Sequence, residues 1–203
     1  MSVATLLRLG GLVLILTAVL FAAGGVLAAV VPEGGLATPT VPLLYYLGTI
    51  SAVLGVIALY TVLREQSGRL GFTGMVLATV GAVLYSGPLL SLLAGTSGAT
   101  AWHEVWAFAM GNVLLAGPTA FFVGLILLGI ATWRGRQLSR GSGLVLAVGA
   151  FVWLVAYFLS VVPGLLTVAS LVTAAGLAWM GAALWLGRPS RAARQQMAAQ
   201  QPC

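Results

Sequence analysis

The chain predicts an all-α polytopic membrane protein: six transmembrane helices, arranged as three parallel-repeat helical hairpins, with both termini cytoplasmic. Three observations predict it. First, 61% of the 203 residues are apolar and only 6% are charged, a composition unsuited to a domain folded in water. Second, apolar windows recur near residues 9–31, 43–63, 72–95, 111–133, 143–162 and 164–186. Each is long enough to cross a hydrocarbon layer of about 30 Å, which takes roughly 20 helical residues.

Third, the charge is placed periodically. The nine basic residues are all arginines, at 8, 64, 69, 134, 136, 140, 188, 191 and 194. They occupy the N-terminus, every second connection and the tail, whereas the connections at 32–42, 96–110 and 163–164 contain no Lys or Arg. The positive-inside rule then places both ends in the cytoplasm, and a bacterial cytoplasmic (inner) membrane is the expected location. Helices are strongly preferred to a membrane barrel because runs such as Leu12 to Val31 are apolar on every face instead of alternating. The net charge of +6 suits anionic headgroups at the arginines, not nucleic acid, because no water-soluble domain carries it. Residues 1–186 form one transmembrane domain with hairpins at about 9–63, 72–133 and 143–186, and 187–203 form a basic cytoplasmic tail.

The first helix carries Gly10, Gly11, Gly24 and Gly25, small residues that let helix backbones approach closely. It reads as a retained helix, not a cleaved signal. The Gly- and Pro-rich stretch from Pro32 to Pro42 is an irregular outer loop. The second helix opens on Tyr45 and Tyr46 and closes on Tyr60 and Arg64, rings and a cation suited to the two interfaces. An inner turn, REQSGRLG, leads into the third helix, where Gly87-Pro88 predicts a kink. The fourth contains the same dipeptide, Gly117-Pro118, at the same expected depth.

Ala101 to Trp133 as one helix would be roughly 50 Å long, well beyond the hydrocarbon thickness. A break at Gly111-Asn112 is therefore expected, leaving an outer surface helix at about 101–110 with Trp102, Trp106 and Met110 on one stripe. The fifth helix holds Trp153, Tyr157 and Ser160. Pro163-Gly164 turns into the sixth, which leaves the membrane at Trp185 and Arg188.

Odd helices share an opening signature: Arg8 then Gly11-Leu-Val-Leu14, Arg69 then Gly74-Met-Val-Leu77, and Arg140 then Gly143-Leu-Val-Leu146. Helices four and six share Gly124, Gly129, Trp133 and Gly176, Gly181, Trp185. Two crossings restore the starting side, so such repeats are parallel and not inverted.

The chemistry available is sparse. No acidic or basic residue lies in the middle of any expected span, against the usual design of ion and proton relays. The only histidine, His103, adjoins Glu104, but neighbouring helical residues point about 100° apart and make a poor dyad. With Glu33 they lack a second histidine or a nearby cysteine for a metal, and the single cysteine, Cys203, forms no intramolecular disulfide. No catalytic or metal site is assigned, and the cofactor is unknown. The candidate site is an outer cavity lined by Tyr85, Ser86, Asn112 and Thr119, capped by Trp102, His103 and Trp106, and splayed open by kinks at Gly87, Pro88, Gly117 and Pro118. Such a pocket suits a lipid, quinone or pigment.

The function expected is therefore non-catalytic: an accessory or structural subunit, or a binder of a lipophilic ligand, within a membrane assembly. Its expected partners are membrane lipids, other membrane subunits or a second copy. The alternatives are a facilitator or channel for a small neutral solute, and an external pH sensor or outer-face enzyme using His103.

Overall fold

A computed structural model describes residues 3–31, 39–96, 103–135, 138–159 and 163–186. They are helical almost throughout, and six of the helical segments are long and apolar enough to span a membrane. Helix α1 is Val3–Val30. The run Thr40–Thr96 comprises two helices that meet at a kink at Gly68, and its two candidate spans are α2, Thr40–Arg64, and α3, Ser67–Gly87. They are followed by α4, His103–Arg134, α5, Arg140–Leu159, and α6, Pro163–Trp185.

The eight-residue inner turn that the sequence predicts is shorter in the structure. Gly68 alone departs from helical geometry, with φ 50° and ψ −135°. That region is open to a residue without Cβ and strained for others. Tyr60 and Phe72 pack across the turn with ring centroids 6.0 Å apart. A second difference lies in α4, whose helical backbone continues through Gly111 and Asn112 where a break is expected. Glycine and asparagine weaken a helix but do not interrupt its hydrogen-bond ladder as proline does. The twelve helical residues from His103 to Leu114 add about 18 Å to the length of α4 ahead of Leu115. Pro118 is likewise accommodated inside the helix.

The helices form a closed ring. Each packs on its neighbour in sequence, and α6 packs back on α1. The described arginines Arg8, Arg64, Arg69, Arg134 and Arg140 are exposed at the helix ends, and alternation of direction brings them to one end of the bundle. Beside them Trp133 and Trp185 are about half exposed, at 50% and 49%, as rings at a membrane–water boundary are. Ser139 caps α5, its Oγ accepting from the Ser142 N–H at 3.4 Å.

Two seams of the ring are joined by backbone contact at glycines. A Cβ on Gly11 would lie 2.6 Å from the Gly181 carbonyl oxygen and 2.7 Å from the Trp185 nitrogen. A Cβ on Gly143 would lie 2.5 Å from the Gly129 oxygen and 2.8 Å from the Trp133 nitrogen. The α1–α6 and α5–α4 seams thus meet through the same pair of residue types at matching positions. No side chain fits at either without moving a helix backbone.

Aromatic and aliphatic side chains fill the axis. Phe21 of α1 reaches across to Phe121 and Phe122 of α4 at 6.2 and 6.5 Å and to Tyr45 of α2 at 5.5 Å. Leu14, Leu59, Leu125, Leu146, Leu177 and Met180 complete a buried centre.

Three stability outcomes are expected in detergent-solubilised protein. Gly68→Ala should lower the unfolding free energy by about 1–3 kcal/mol, through its strained dihedrals. Gly164→Ala, where an added Cβ meets nothing within 4 Å, should be close to neutral. Gly143→Val should cost about 1–3 kcal/mol or more by prying the α4–α5 seam apart. Equilibrium unfolding monitored by circular dichroism ranks the three.

Candidate lipophile site

The structure divides the residues assigned to the outer cavity among different surroundings. Tyr85 belongs to the buried core, where its ring meets that of Trp153 edge-on at 6.1 Å. Ser86, the next residue, is half-buried and turned elsewhere, and its hydroxyl donates to the Val83 carbonyl oxygen at 2.7 Å. Thr119 is also half-buried and donates to the Leu115 carbonyl oxygen of its own helix. Gly117 and Tyr85 do come together, but as a contact that closes space. A Cβ on Gly117 would lie 2.7 Å from the Tyr85 nitrogen, so α3 and α4 touch at the level where splaying is expected. Pro118 is buried beside it.

Gly87 is half-buried within α3, and the backbone is helical at Pro88, His103, Trp106 and Asn112. The side chains of those last four, and the whole of Trp102, lie outside the described residues, as do Glu33 and the tail 187–203. Among the described residues no group of three His, Cys, Asp or Glu is placed to hold a metal ion.

The interior toward the end opposite the arginines is a continuous stack of rings. Phe122 stacks on Trp153 at 3.9 Å, Trp153 on Tyr157 at 5.3 Å, and Tyr157 meets Phe158 edge-on at 5.8 Å. Phe158 is exposed, so the stack runs from the axis to the outer surface of the bundle. The indole Nε1 of Trp153 and the hydroxyl of Thr79 are buried and have no hydrogen-bond partner among the described residues.

Polar side chains tie α1, α2 and α6 together. The Thr17 and Ser51 hydroxyls lie 2.9 Å apart, the Tyr45 hydroxyl is 3.1 Å from Ser170 Oγ, and Thr167 donates to the Gly25 carbonyl oxygen at 3.1 Å. The Gly24-Gly25 pair makes this possible. A Cβ on Gly24 would lie 3.3 Å from the Tyr45 ring, and one on Gly25 would sit 2.7 Å from that of Ser170. These hydroxyls are committed to neighbouring helices or to carbonyls one turn back, the usual satisfaction of such groups where water is absent.

A cavity among the described residues opens sideways, between α2 and α3. It has a volume of about 350 Å³ and is lined by Ile50, Val53, Leu54, Ala82, Val83 and Ser86. Only Ser86 of this set is singled out by the sequence, and the other five are ordinary aliphatic residues with no motif to mark them. The recess lies within the range of small-ligand pockets, and its lining is almost wholly apolar. Its single hydroxyl is already engaged with Val83. It suits hydrocarbon and offers no free polar handle.

No protein family, curated protein or solved structure matches this chain. The geometry itself therefore carries the functional argument.

The Tyr45–Ser170 hydrogen bond is open to a double-mutant cycle. Tyr45→Phe and Ser170→Ala should each destabilise the bundle, with a coupling energy of about 0.6 kcal/mol and no more than about 1.7 kcal/mol. A coupling of zero in reversible unfolding would remove this contact from the interactions that hold α2 to α6.

Proposed function

We propose that the chain is a non-catalytic integral membrane protein that binds a lipophilic molecule, and that it does so as an accessory or structural subunit of a membrane assembly. The observation that carries this reading is the sideways-opening apolar recess between α2 and α3. A ligand drawn from the bilayer reaches it without passing through water.

The interior supports the same reading by its chemistry. The buried polar residues among those described are Thr17, Thr49, Thr132, Ser142, Ser170 and Thr173, hydroxyls without exception. Thr49, Thr132 and Thr173 donate to the carbonyl one turn earlier at 2.6, 2.8 and 2.8 Å. A proton or ion relay uses ionisable groups within the span, and an enzyme needs a nucleophile or acid–base pair in mutual reach. No carboxylate, histidine, lysine or arginine is among these buried polar residues. The filled axis also disfavours the alternative of a solute facilitator.

The three-hairpin plan is supported by the matched contacts of Gly11 with Gly181 and Gly143 with Gly129. The gathering of arginines at one end supports cytoplasmic termini in a bacterial inner membrane, with those arginines against anionic headgroups. His103 then stands on the opposite side, where the sensor and outer-face enzyme alternatives would place it.

Native mass spectrometry of gently extracted protein is expected to show either a bound lipophilic molecule or an associated membrane subunit. A bare monomer in every preparation would overturn the proposal. In proteoliposomes, glycerol and urea flux should not exceed that of protein-free vesicles, whereas flux several-fold above that background would favour the facilitator.

A further inference from the structure

The α2–α3 recess lies at the one inter-hairpin seam that is built differently. Gly55, Gly124 and Gly176 each face the odd helix that precedes them, meeting Leu14, Ala78 and Leu146 respectively, which sets a common register for the even helices. Five residues further on, α4 has Gly129 and α6 has Gly181, the glycines that contact the next helix backbone to backbone. At the corresponding place α2 has Tyr60, whose ring packs on Phe72 of α3 at 6.0 Å. Four residues beyond, Trp133 and Trp185 correspond to Arg64. Two seams meet backbone to backbone at glycine, and the third meets through a pair of aromatic rings. Farther from the arginine end along that third seam, the recess of about 350 Å³ opens.

We propose that the α2–α3 seam is a lateral binding site for one acyl tail of a membrane phospholipid, with Tyr60 and Phe72 as the wedge that keeps it open. This rests on the lipophile-binding reading and specifies its site and the chemical class of its occupant. The tail, not the headgroup, is the recognised part, because the recess is lined by Ile50, Val53, Leu54, Ala82 and Val83, and Ser86 spends its hydroxyl on the Val83 carbonyl. A methylene chain fills such a recess through dispersion contacts alone, and the hydrocarbon layer supplies it at the same depth. Leu54 and Val83, each 63% exposed, form the lips of the recess on the lipid-facing surface.

The test uses the full chain in phosphatidylcholine vesicles containing a phosphatidylcholine with a photoreactive diazirine in its acyl tail. Cross-linked positions are mapped by mass spectrometry. Labelling is expected to concentrate several-fold at residues 50–54 and 82–86 over Phe151 and Val168, which are equally open at 59% and 54% exposure. Ala82→Leu and, independently, Ser86→Leu fill the recess and should reduce that labelling several-fold while leaving the α5 label unchanged. Tyr60→Gly should do the same by letting the seam close. Even labelling of all exposed apolar faces would overturn the proposal, as would cross-links joining the α2–α3 seam of one copy to a second copy. Stronger competition by farnesol than by palmitic acid would also overturn it, in favour of an isoprenoid. If extracted protein carries a lipophile while labelling is even, the site assignment fails and the lipophile-binding reading stands. If extraction yields only bare monomer, both fail.

Discussion

The architecture depends on how closely helix backbones can approach where burial in a core offers no advantage over burial in hydrocarbon. Leucine gains little by leaving lipid for protein, so dispersion and local hydrogen bonds must hold the bundle. Gly11 against Gly181 and Gly143 against Gly129 are two such approaches, and Gly81 against Phe121 is closer still. At the first two the absence of Cβ brings one helix onto the carbonyls and amides of the next. Those two contacts draw α6 onto α1 and α5 onto α4, while Gly81, Gly117 and Gly124 bring α3 and α4 together and Gly149 and Gly176 do the same for α5 and α6.

Buried aromatic side chains fill the centre of the ring among the described residues. Phe21, Phe121, Phe122 and Trp153 occupy it, meeting in mixed edge and face contacts of the kind aromatic rings prefer. The hydroxyl groups are drawn to the α1–α2–α6 side, where Thr17, Ser51, Tyr45, Ser170 and Thr167 span between helices. Glycine contact joins α3 to α4 and α4 to α5, and on the α1–α6 seam it works beside the hydroxyls. Along the seam with the aromatic pair Tyr60–Phe72 a recess lies among the described residues.

Much of the fold is legible in the sequence, because a span of hydrocarbon imposes its length on any helix that crosses it. Five of the six apolar windows lie within four residues of the candidate spans at both ends, and the third, 72–95, overlaps the span Ser67–Gly87. Two local readings differ from the structure, and for one reason. The weak helix formers Gly111 and Asn112 predict a break, and REQSGRLG a turn of eight residues, yet the helical ladder tolerates both and yields only at Gly68. The candidate site is much less legible. The sequence puts Tyr85 and Ser86 in one pocket although neighbouring residues on a helix face about 100° apart, the same geometry that separates His103 from Glu104. Gly117-Pro118 reads as a point of divergence, but the missing Cβ at Gly117 makes it a point of contact with Tyr85. The recess residues Ile50, Val53, Leu54, Ala82 and Val83 carry no signal, since aliphatic residues facing a gap look like any others.

Alone, the sequence determined that six apolar helices form and how the arginines alternate along them, because those features follow from apolar length and charge spacing within each segment. The tertiary structure decided which glycines are contacts, which rings fill the axis and which seam stays open. Those outcomes depend on rotational setting and register between helices. A helix that is apolar on every face leaves both unmarked, until the backbones that can approach have done so.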